Sequence, residues 1–273
     1  MGAVPPGRAG PAALSALLAE PWRCGLLTDF DGTLAPIVRA PQDARPLPGA
    51  VDLLHRLAGR LAVVGVVSGR PARFLVDHVG MARPGPPGGG RVRLAGLYGL
   101  ERTDEDGSVV PAPGLERWAA AAEGAAAAAR AGGPTGLVVE HKGPALTLHW
   151  RGAPGVEGWA LAFASRWAES SGLVAEPGRM SVELRPPAAV DKGTVVAEWC
   201  EGLAAACFLG DDRGDLAAFA ALDRLASGGG FEAVKVAVAS AELPEELAAA
   251  ADVTVDGTAG ALGLLGELAR ALG

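Results

Sequence analysis

The segment Thr28-Asp29-Phe30-Asp31-Gly32-Thr33 follows directly on the apolar run Gly25-Leu26-Leu27, which is typical of a short buried strand. Because side chains alternate along a strand, Asp29 and Asp31 are predicted to lie on the same side of the chain, where the strand ends. Carboxylates so close together require a nearby cation or a shared proton. In such a pair, one carboxylate can attack the phosphorus atom of a phosphate ester while the other protonates the oxygen that leaves. A calcium loop is a weaker interpretation, because Ala35-Pro36-Ile37 is apolar where further ligands would be needed.

Further apolar runs, each bounded by Gly or acidic residues, predict more short buried strands. They lie at residues 61–67, 92–97, 205–209, 234–238 and 253–255. Stretches with helical spacing occur at residues 49–59, 215–225 and 259–272. This alternation predicts an α/β fold whose core is a doubly wound, Rossmann-like parallel sheet with helices on both faces.

The middle of the chain has a different pattern. An Ala-rich helical run is followed by two strands joined at Gly143-Pro144, and a second helix is followed by two strands turned at Pro177-Gly178. The helices are predicted at 115–131 and 159–169, and the strands at 137–142, 145–151, 173–176 and 180–185. The order αββαββ predicts a smaller α+β cap domain, residues 109–186, inserted into a core of residues 1–108 and 187–273. The Pro/Gly-rich segment 84–90 is predicted to be a core loop.

Composition narrows the function classes. The chain has 273 residues, of which 49% are hydrophobic and 20% charged, as expected for a globular protein. Its net charge of -7 and the lack of a basic stripe argue against a nucleic-acid partner. Apolar stretches are too short to span a membrane, and residues 1–20 lack a signal-peptide pattern, so we expect a cytoplasmic protein. We also expect a monomer. The three cysteines are expected to be buried thiols.

The stretch Asp29-Phe30-Asp31-Gly32-Thr33-Leu34 resembles the first signature of the haloacid-dehalogenase-like phosphatases. The resemblance implies that Asp29 is the nucleophile and Asp31 the general acid and base. Ser68-Gly69-Arg70 is similar to the second motif, which holds phosphate, although alone it would be an ordinary helix cap. Asp191-Lys192-Gly193 resembles the third motif, whose Lys steadies the nucleophile and the phosphoryl group. Only three of the 24 basic residues are Lys, so a compact ammonium at position 192 is informative.

The run Gly210-Asp211-Asp212-Arg213-Gly214-Asp215 resembles the fourth motif. The resemblance implies that Asp211 is a metal ligand and that Asp215 binds a metal water or orients Lys192, while an acidic helix start remains open for Asp212. Oxygen ligands suit Mg²⁺, and the predicted metal group consists of Asp29, Asp31, Asp211 and Asp215.

Substrate choice is expected to depend on the inserted domain. Residues 29–37 and 96–101, the hairpin from Glu140 to Arg151, and Glu183-Leu184-Arg185-Pro186 together resemble trehalose-6-phosphate phosphatases. The resemblance implies that Glu140, Lys142 and Glu183 bind sugar hydroxyls and that Arg185 braces the domain or contacts phosphate. A solvated hairpin face is the alternative for these charges. For His149 and Trp150, structural packing is expected.

Three positions depart from the pattern of many family members: Gly214 in place of Thr, Leu216 in place of Glu, and Tyr98 in place of His. They leave open a related (pseudo)disaccharide phosphate or another sugar phosphate as the substrate. A non-catalytic phosphoacceptor or sugar-binding module is a further alternative, but such a module does not require the inserted domain or Asp31. The expected partner is a small phosphosugar, and the expected cofactor is Mg²⁺.

Overall fold

The computed structural model describes residues 14–38, 40–80, 91–187 and 189–273. The described residues form two compact units, one made of residues 14–37, 44–80, 91–110 and 190–273 and the other of residues 38, 40–43, 111–187 and 189. The predicted loop at 84–90 lies outside the described residues. Within the described part of the chain, no helix has both the length and the apolar character needed to cross a membrane.

The first unit contains an eight-stranded sheet in the order β12-β11-β10-β1-β2-β3-β4-β5. Its strands, numbered in chain order through the whole protein, are β1 Cys24–Thr28, β2 Val63–Val67, β3 Val92–Gly96, β4 Glu101–Thr103, β5 Val109–Pro111, β10 Ala205–Gly210, β11 Glu232–Ala239 and β12 Val253–Asp256. The six strands from β12 to β3 are parallel, and β4 pairs antiparallel to β3. All six are predicted by the apolar runs. The parallel-sheet core is therefore confirmed.

Helices cover both faces of this sheet. They are α1 Ser15–Ala19, α2 Ala50–Ala58, α3 Ala72–Val79, α6 Lys192–Trp199, α7 Asp215–Ser227, α8 Glu245–Ala250 and α9 Gly257–Ala271, with α4 and α5 in the second unit. Helices α6 and α7 pack together, and Val195 and Phe219 from them join Leu27 and Phe208 of the central strands in one buried cluster. Helices α2 and α9 pack together and contact the sheet separately.

The second unit contains a four-stranded antiparallel sheet in the order β6-β7-β9-β8. Its elements are α4 Ala119–Gly132, β6 Val138–His141, β7 Leu146–His149, α5 Glu157–Ser171, β8 Val174–Gly178 and β9 Ser181–Arg185. Leu146, Leu148 and Trp150 pack with the two helices, as the alternation along β7 predicts. The intervening positions carry polar side chains on the opposite face.

The predicted turn at Pro177-Gly178 is wrong by two residues. Both residues belong to β8, Gly178 pairs with Ser181, and the chain reverses at Arg179 and Met180, where Met180 has φ 49°. Because β8 is an edge strand, Pro177 can occupy it without removing a hydrogen bond from the interior of the sheet.

Candidate active site

The candidate site lies where the direction of winding of the core sheet reverses. From β1 the chain proceeds through β2 and β3 on one side, and from β10 it proceeds through β11 and β12 on the other. Asp29 follows β1 and Asp211 follows β10, and the Asp29 amide donates to the Leu209 carbonyl at 2.9 Å. The carboxyl ends of parallel strands at such a reversal point are the usual place for ligands in this class of fold.

Three carboxylates meet at this edge of the sheet. Asp29, Asp211 and Asp215 are all buried, and each contributes an oxygen within 4.8 Å of the others. Gly32 leaves room for them, because a Cβ atom there would lie 2.0 Å from Oδ2 of Asp211. Carboxylate oxygens at this spacing are the ligand type that Mg²⁺ prefers.

Lys192 is the cation closest to these carboxylates among the described contacts. Its side chain is 2% exposed, and its Nζ atom lies 2.9 Å from Oδ2 of Asp29 and 2.7 Å from Oδ1 of Asp215. Local sequence sets its position, because Asp191 caps α6 by accepting a hydrogen bond from the Thr194 amide at 2.8 Å. Lys192 is therefore held in the first turn of the helix.

The charges at this site do not balance. Burial raises the pKa of Asp29 well above its ordinary value, and Lys192 offsets only part of that effect. Burial likewise raises the pKa of Asp215, to about 6. Burial alone would lower the pKa of Lys192, but Asp215 and Asp29 outweigh it and raise the value. Three buried carboxylates beside one ammonium leave an excess of negative charge, which fits a divalent cation.

Asp215 also fixes the loop after β10. Its Oδ2 atom accepts hydrogen bonds from the amides of Asp211 and Asp212, at 2.9 and 3.0 Å, while its Oδ1 atom binds Lys192. The sequence left two roles open for Asp215, binding a metal-bound water or orienting Lys192. The observed contacts agree with the second role. Asp212 is half exposed and lies 3.9 Å from Lys192.

Asp31 lies near the site but outside the group of three carboxylates. Its two oxygens accept hydrogen bonds from Arg70, with Nε to Oδ2 at 2.6 Å and Nη2 to Oδ1 at 2.8 Å. Thus the described arrangement groups three of the four predicted metal ligands. It also places Arg70, predicted to bind phosphate, against Asp31.

Ser68 and Gly69 follow β2 in a tightly constrained loop. Ser68 is buried, and its Oγ atom accepts a hydrogen bond from the Arg70 amide at 3.2 Å. A Cβ atom on Gly69 would lie 2.7 Å from the hydroxyl oxygen of Tyr98, so only glycine fits beneath that ring. The departure at Tyr98 marked this position in the sequence, but the sequence did not indicate its contact with the loop.

The polar face of the second sheet carries a connected group of side chains. The Nζ atom of Lys142 lies 2.8 Å from Oε1 of Glu183, which also accepts from Thr147 at 3.2 Å. His149 bonds Glu140 at 2.8 Å through Nε2, a contact that the expectation of structural packing did not specify. Strand register explains the grouping, because Thr147 pairs with Glu140 on one side and Glu183 on the other. Lys142 and Glu183 are buried, which disagrees with a solvated hairpin face.

Arg185 contacts the edge strand of the second sheet. Its Nε atom lies 3.2 Å from Oε1 of Glu176 on the neighbouring strand. This ion pair agrees with a bracing role within the sheet. Trp150 is buried among apolar side chains, as expected.

Comparison with known proteins adds sequence relatives. The family model for trehalose-phosphatase matches residues 27–85. The chain is 37% identical over 207 residues to the trehalose-phosphate phosphatase of Mycobacterium avium (strain 104), covering 71% of this chain and 50% of that protein. It is 34% identical over 168 residues to that of Mycobacterium leprae (strain TN), covering 60% of this chain and 37% of that protein. The chain thus spans half or less of the length of these two relatives.

Solved structures show a similar fold over nearly the whole chain. The C-terminal domain of trehalose-6-phosphate phosphatase from C. albicans aligns with a TM-score of 0.77 and 23% identity, over 97% of this chain and 98% of that one. The Aspergillus fumigatus trehalose-6-phosphate phosphatase in crystal form 3 aligns with a TM-score of 0.62 and 22% identity, over 97% and 98%. The resemblance predicted from the motifs is confirmed: the chain is related in sequence to the trehalose-phosphate phosphatases and shares the fold of their solved structures.

Proposed function

We propose that this protein is a Mg²⁺-dependent phosphatase that hydrolyses trehalose 6-phosphate through an aspartyl-phosphate on Asp29. The observation that carries the proposal is the position of Lys192, buried between Asp29 and Asp215 at the reversal point of the sheet. The names of the sequence relatives support trehalose 6-phosphate as the substrate.

In the first step, a carboxylate oxygen of Asp29 attacks phosphorus as the bond between phosphorus and the sugar oxygen breaks. Asp31 gives its proton to that departing oxygen. The ammonium of Lys192, 2.9 Å from Asp29, stabilises the charge on the transferring phosphoryl group. In the second step, water gives a proton to Asp31 and attacks the phosphorus of the aspartyl-phosphate. Inorganic phosphate leaves and the Asp29 carboxylate is restored.

Asp29 and Asp211 are assigned to Mg²⁺ because they follow the neighbouring strands β1 and β10 and their oxygens lie close together. Asp215 is assigned to Lys192 and to the two amides of the loop after β10 that it accepts from. When bound, the ion would neutralise phosphoryl oxygens and the excess negative charge of the site. Asp215 then serves to orient Lys192.

Recognition of the sugar is assigned to the inserted domain, residues 109–186. Carboxylates accept hydrogen bonds from sugar hydroxyls and an ammonium donates to them, so Glu140, Lys142 and Glu183 form a suitable set. Their mutual contacts hold the side chains in fixed positions, which reduces the entropy lost when a polyol binds.

The direct test is phosphate release from trehalose 6-phosphate with Mg²⁺ and with EDTA. We expect steady turnover that EDTA abolishes, and no turnover by Asp29→Asn. Asp223→Asn is a matched control, because Asp223 is exposed and pairs with Lys235 on the core surface. Activity retained by Asp29→Asn would refute the nucleophile, and faster turnover of a different sugar phosphate would refute the substrate. A single stoichiometric labelling without turnover would favour a phosphoacceptor.

A further inference from the structure

Arg70 and Asp31 form a two-point ion pair beside the nucleophile. The guanidinium donates through Nε and Nη2 to separate oxygens of the carboxylate, at 2.6 and 2.8 Å. The side chain of Arg70 is 9% exposed, whereas that of Asp31 is 28% exposed. A planar fork that engages both oxygens fixes the orientation of the carboxylate as well as its position.

Aromatic packing fixes the guanidinium in turn. Its Cζ atom lies 4.7 Å from the centre of the Phe74 ring, within the range of a cation–π contact. Phe74 stacks on His78 with ring centres 4.1 Å apart and meets Phe30 edge to face at 5.5 Å. Because Phe74 is held on two sides, Arg70 has a rigid support opposite Asp31.

The backbone of Arg70 is held as firmly as its side chain. Its amide donates to Oγ of Ser68, and its carbonyl accepts from the Leu97 amide at 2.8 Å. Leu97 and Tyr98 have φ of 48° and 60°, a conformation that costs free energy in residues other than glycine. Hydrogen bonds from both amides to the loop after β2 compensate for that cost.

We propose that Arg70 is a positioning residue for Asp31, and that this replaces the phosphate-binding role predicted from the motif. The inference rests on the proposed function. The fork binds Asp31 as a carboxylate, which is its state after proton transfer. As the bond between phosphorus and the leaving oxygen breaks, the protonated Asp31 gives its proton to that oxygen, and Arg70 holds the carboxylate that results. Arg70 thus orients the side chain of Asp31 toward the leaving oxygen, and it stabilises the Asp31 carboxylate that remains after the proton is transferred. A proton donor is effective only within hydrogen-bond reach of the oxygen that receives the proton.

The test compares two leaving groups in a single turnover. A sugar alkoxide needs a proton to depart, whereas p-nitrophenolate does not. Arg70→Lys keeps a positive charge near the phosphate but cannot form the fork. We expect the first-turnover rate with trehalose 6-phosphate to fall about 100-fold, while the nitrophenolate burst from p-nitrophenyl phosphate keeps a rate close to that of the unaltered protein. Arg73→Lys is the matched control, since Arg73 is exposed on the same helix and pairs with Asp77.

If Arg70→Lys lowers the first-turnover rate equally with both esters, the proposal is overturned, because the result would place Arg70 on the phosphoryl group. Unchanged rates with both esters would also overturn it. If Arg70→Lys does not fold, Phe74→Leu removes the support of the guanidinium while keeping the fork, and it should show the same selective loss to a smaller extent. Loss with Phe74→Leu that does not depend on the leaving group would also overturn the proposal. Failure of the unaltered protein to hydrolyse either ester would instead refute the proposed function.

Discussion

Asp215 holds Lys192 through a 2.7 Å hydrogen bond between Oδ1 and Nζ, and the side chains are 0% and 2% exposed. The other oxygen of Asp215 fixes the amides of the loop after β10. The Asp215 carboxylate therefore connects the start of α6 with the loop after β10, although Asp215 and Lys192 are 23 positions apart in the sequence. Gly210 permits this closeness, because a Cβ atom there would lie 2.2 Å from Cγ of Asp215.

Asp215→Asn should impair both stability and turnover. The amide group can accept from Lys192 with its oxygen, but its NH₂ group then faces two backbone donors. A buried ammonium that loses its charged partner costs about 3 kcal/mol of unfolding free energy. We expect a loss of about that size in chemical denaturation, together with a kcat at least about 100-fold lower because Lys192 is no longer oriented. Unaltered kcat would show that Lys192 does not depend on Asp215.

The stability of the metal-free protein should fall as pH rises from about 4 to about 6. Burial raises the pKa of Asp215 from its ordinary 3.8 to about 6, so within this interval the folded chain holds a proton that the unfolded chain has lost. Stability from this group is therefore complete below the lower value and lost above the higher one. Thermal unfolding with EDTA across this interval measures the effect.

Mg²⁺ should stabilise the protein more at about pH 7.5 than at about pH 5, because it competes with protons for the buried carboxylates. The measurement is the increase in Tm on adding Mg²⁺ at each pH. Asp211→Asn should reduce the increase at both. An equal increase at the two pH values would contradict a site built from these carboxylates.

The positions of Asp29 and Lys192 show what local sequence can predict. Fully buried strands appear as short apolar runs, and residues that follow parallel strands lie at one edge of the sheet, so the strand pattern places Asp29 and Asp211 at the same edge. That the two residues meet was implied by the resemblance of their motifs and not by the strand pattern. Lys192 was singled out by the resemblance to the third motif and by the rarity of Lys in this chain, and its place in the first turn of α6 is explained by the capping residue Asp191.

The pairing of Arg70 with Asp31 shows what local sequence cannot predict. The residues are 39 positions apart, and the geometry depends on Phe74, which in turn depends on helix α3, an element that the apolar pattern did not predict. Strands β4 and β5 were also missed, because segments of three residues gain their structure from pairing at the sheet edge. His149 was assigned to packing because the pattern shows which face it lies on but not which residue it meets.

Glu183→Gln should weaken recognition of the sugar without affecting phosphate chemistry. Glu183 accepts from Lys142 and Thr147 on the polar face of the second sheet, and the change removes its charge with little change of shape. A hydrogen bond to a charged group contributes about 1.5–3 kcal/mol, so KM for trehalose 6-phosphate should rise at least about 10-fold. The kcat and KM for p-nitrophenyl phosphate should not change.

Glu123→Gln is the control for this change, because Glu123 lies exposed in the same domain and contacts His141 at 3.3 Å. If both substrates lose activity equally in Glu183→Gln, the residue contributes to the fold and not to sugar recognition.

Gly32→Ala should damage the metal site through Asp211. Gly32 has φ 76°, which strains any residue with a Cβ atom, and that atom would lie 2.0 Å from Oδ2 of Asp211. The backbone strain alone costs about 1 kcal/mol. Because Asp211 must also move, we expect a kcat at least about 10-fold lower and a higher Mg²⁺ concentration for half-maximal activity.

Gly49→Ala separates the two effects of that change. Gly49 has φ 86°, and a Cβ atom there meets nothing within 4 Å, so this variant carries the backbone strain without a clash. It should lose about 1 kcal/mol in chemical denaturation and keep its kcat and its Mg²⁺ dependence. If Gly32→Ala behaves in the same way, Asp211 can shift without loss of function, and its oxygen is not confined to a position that the metal requires.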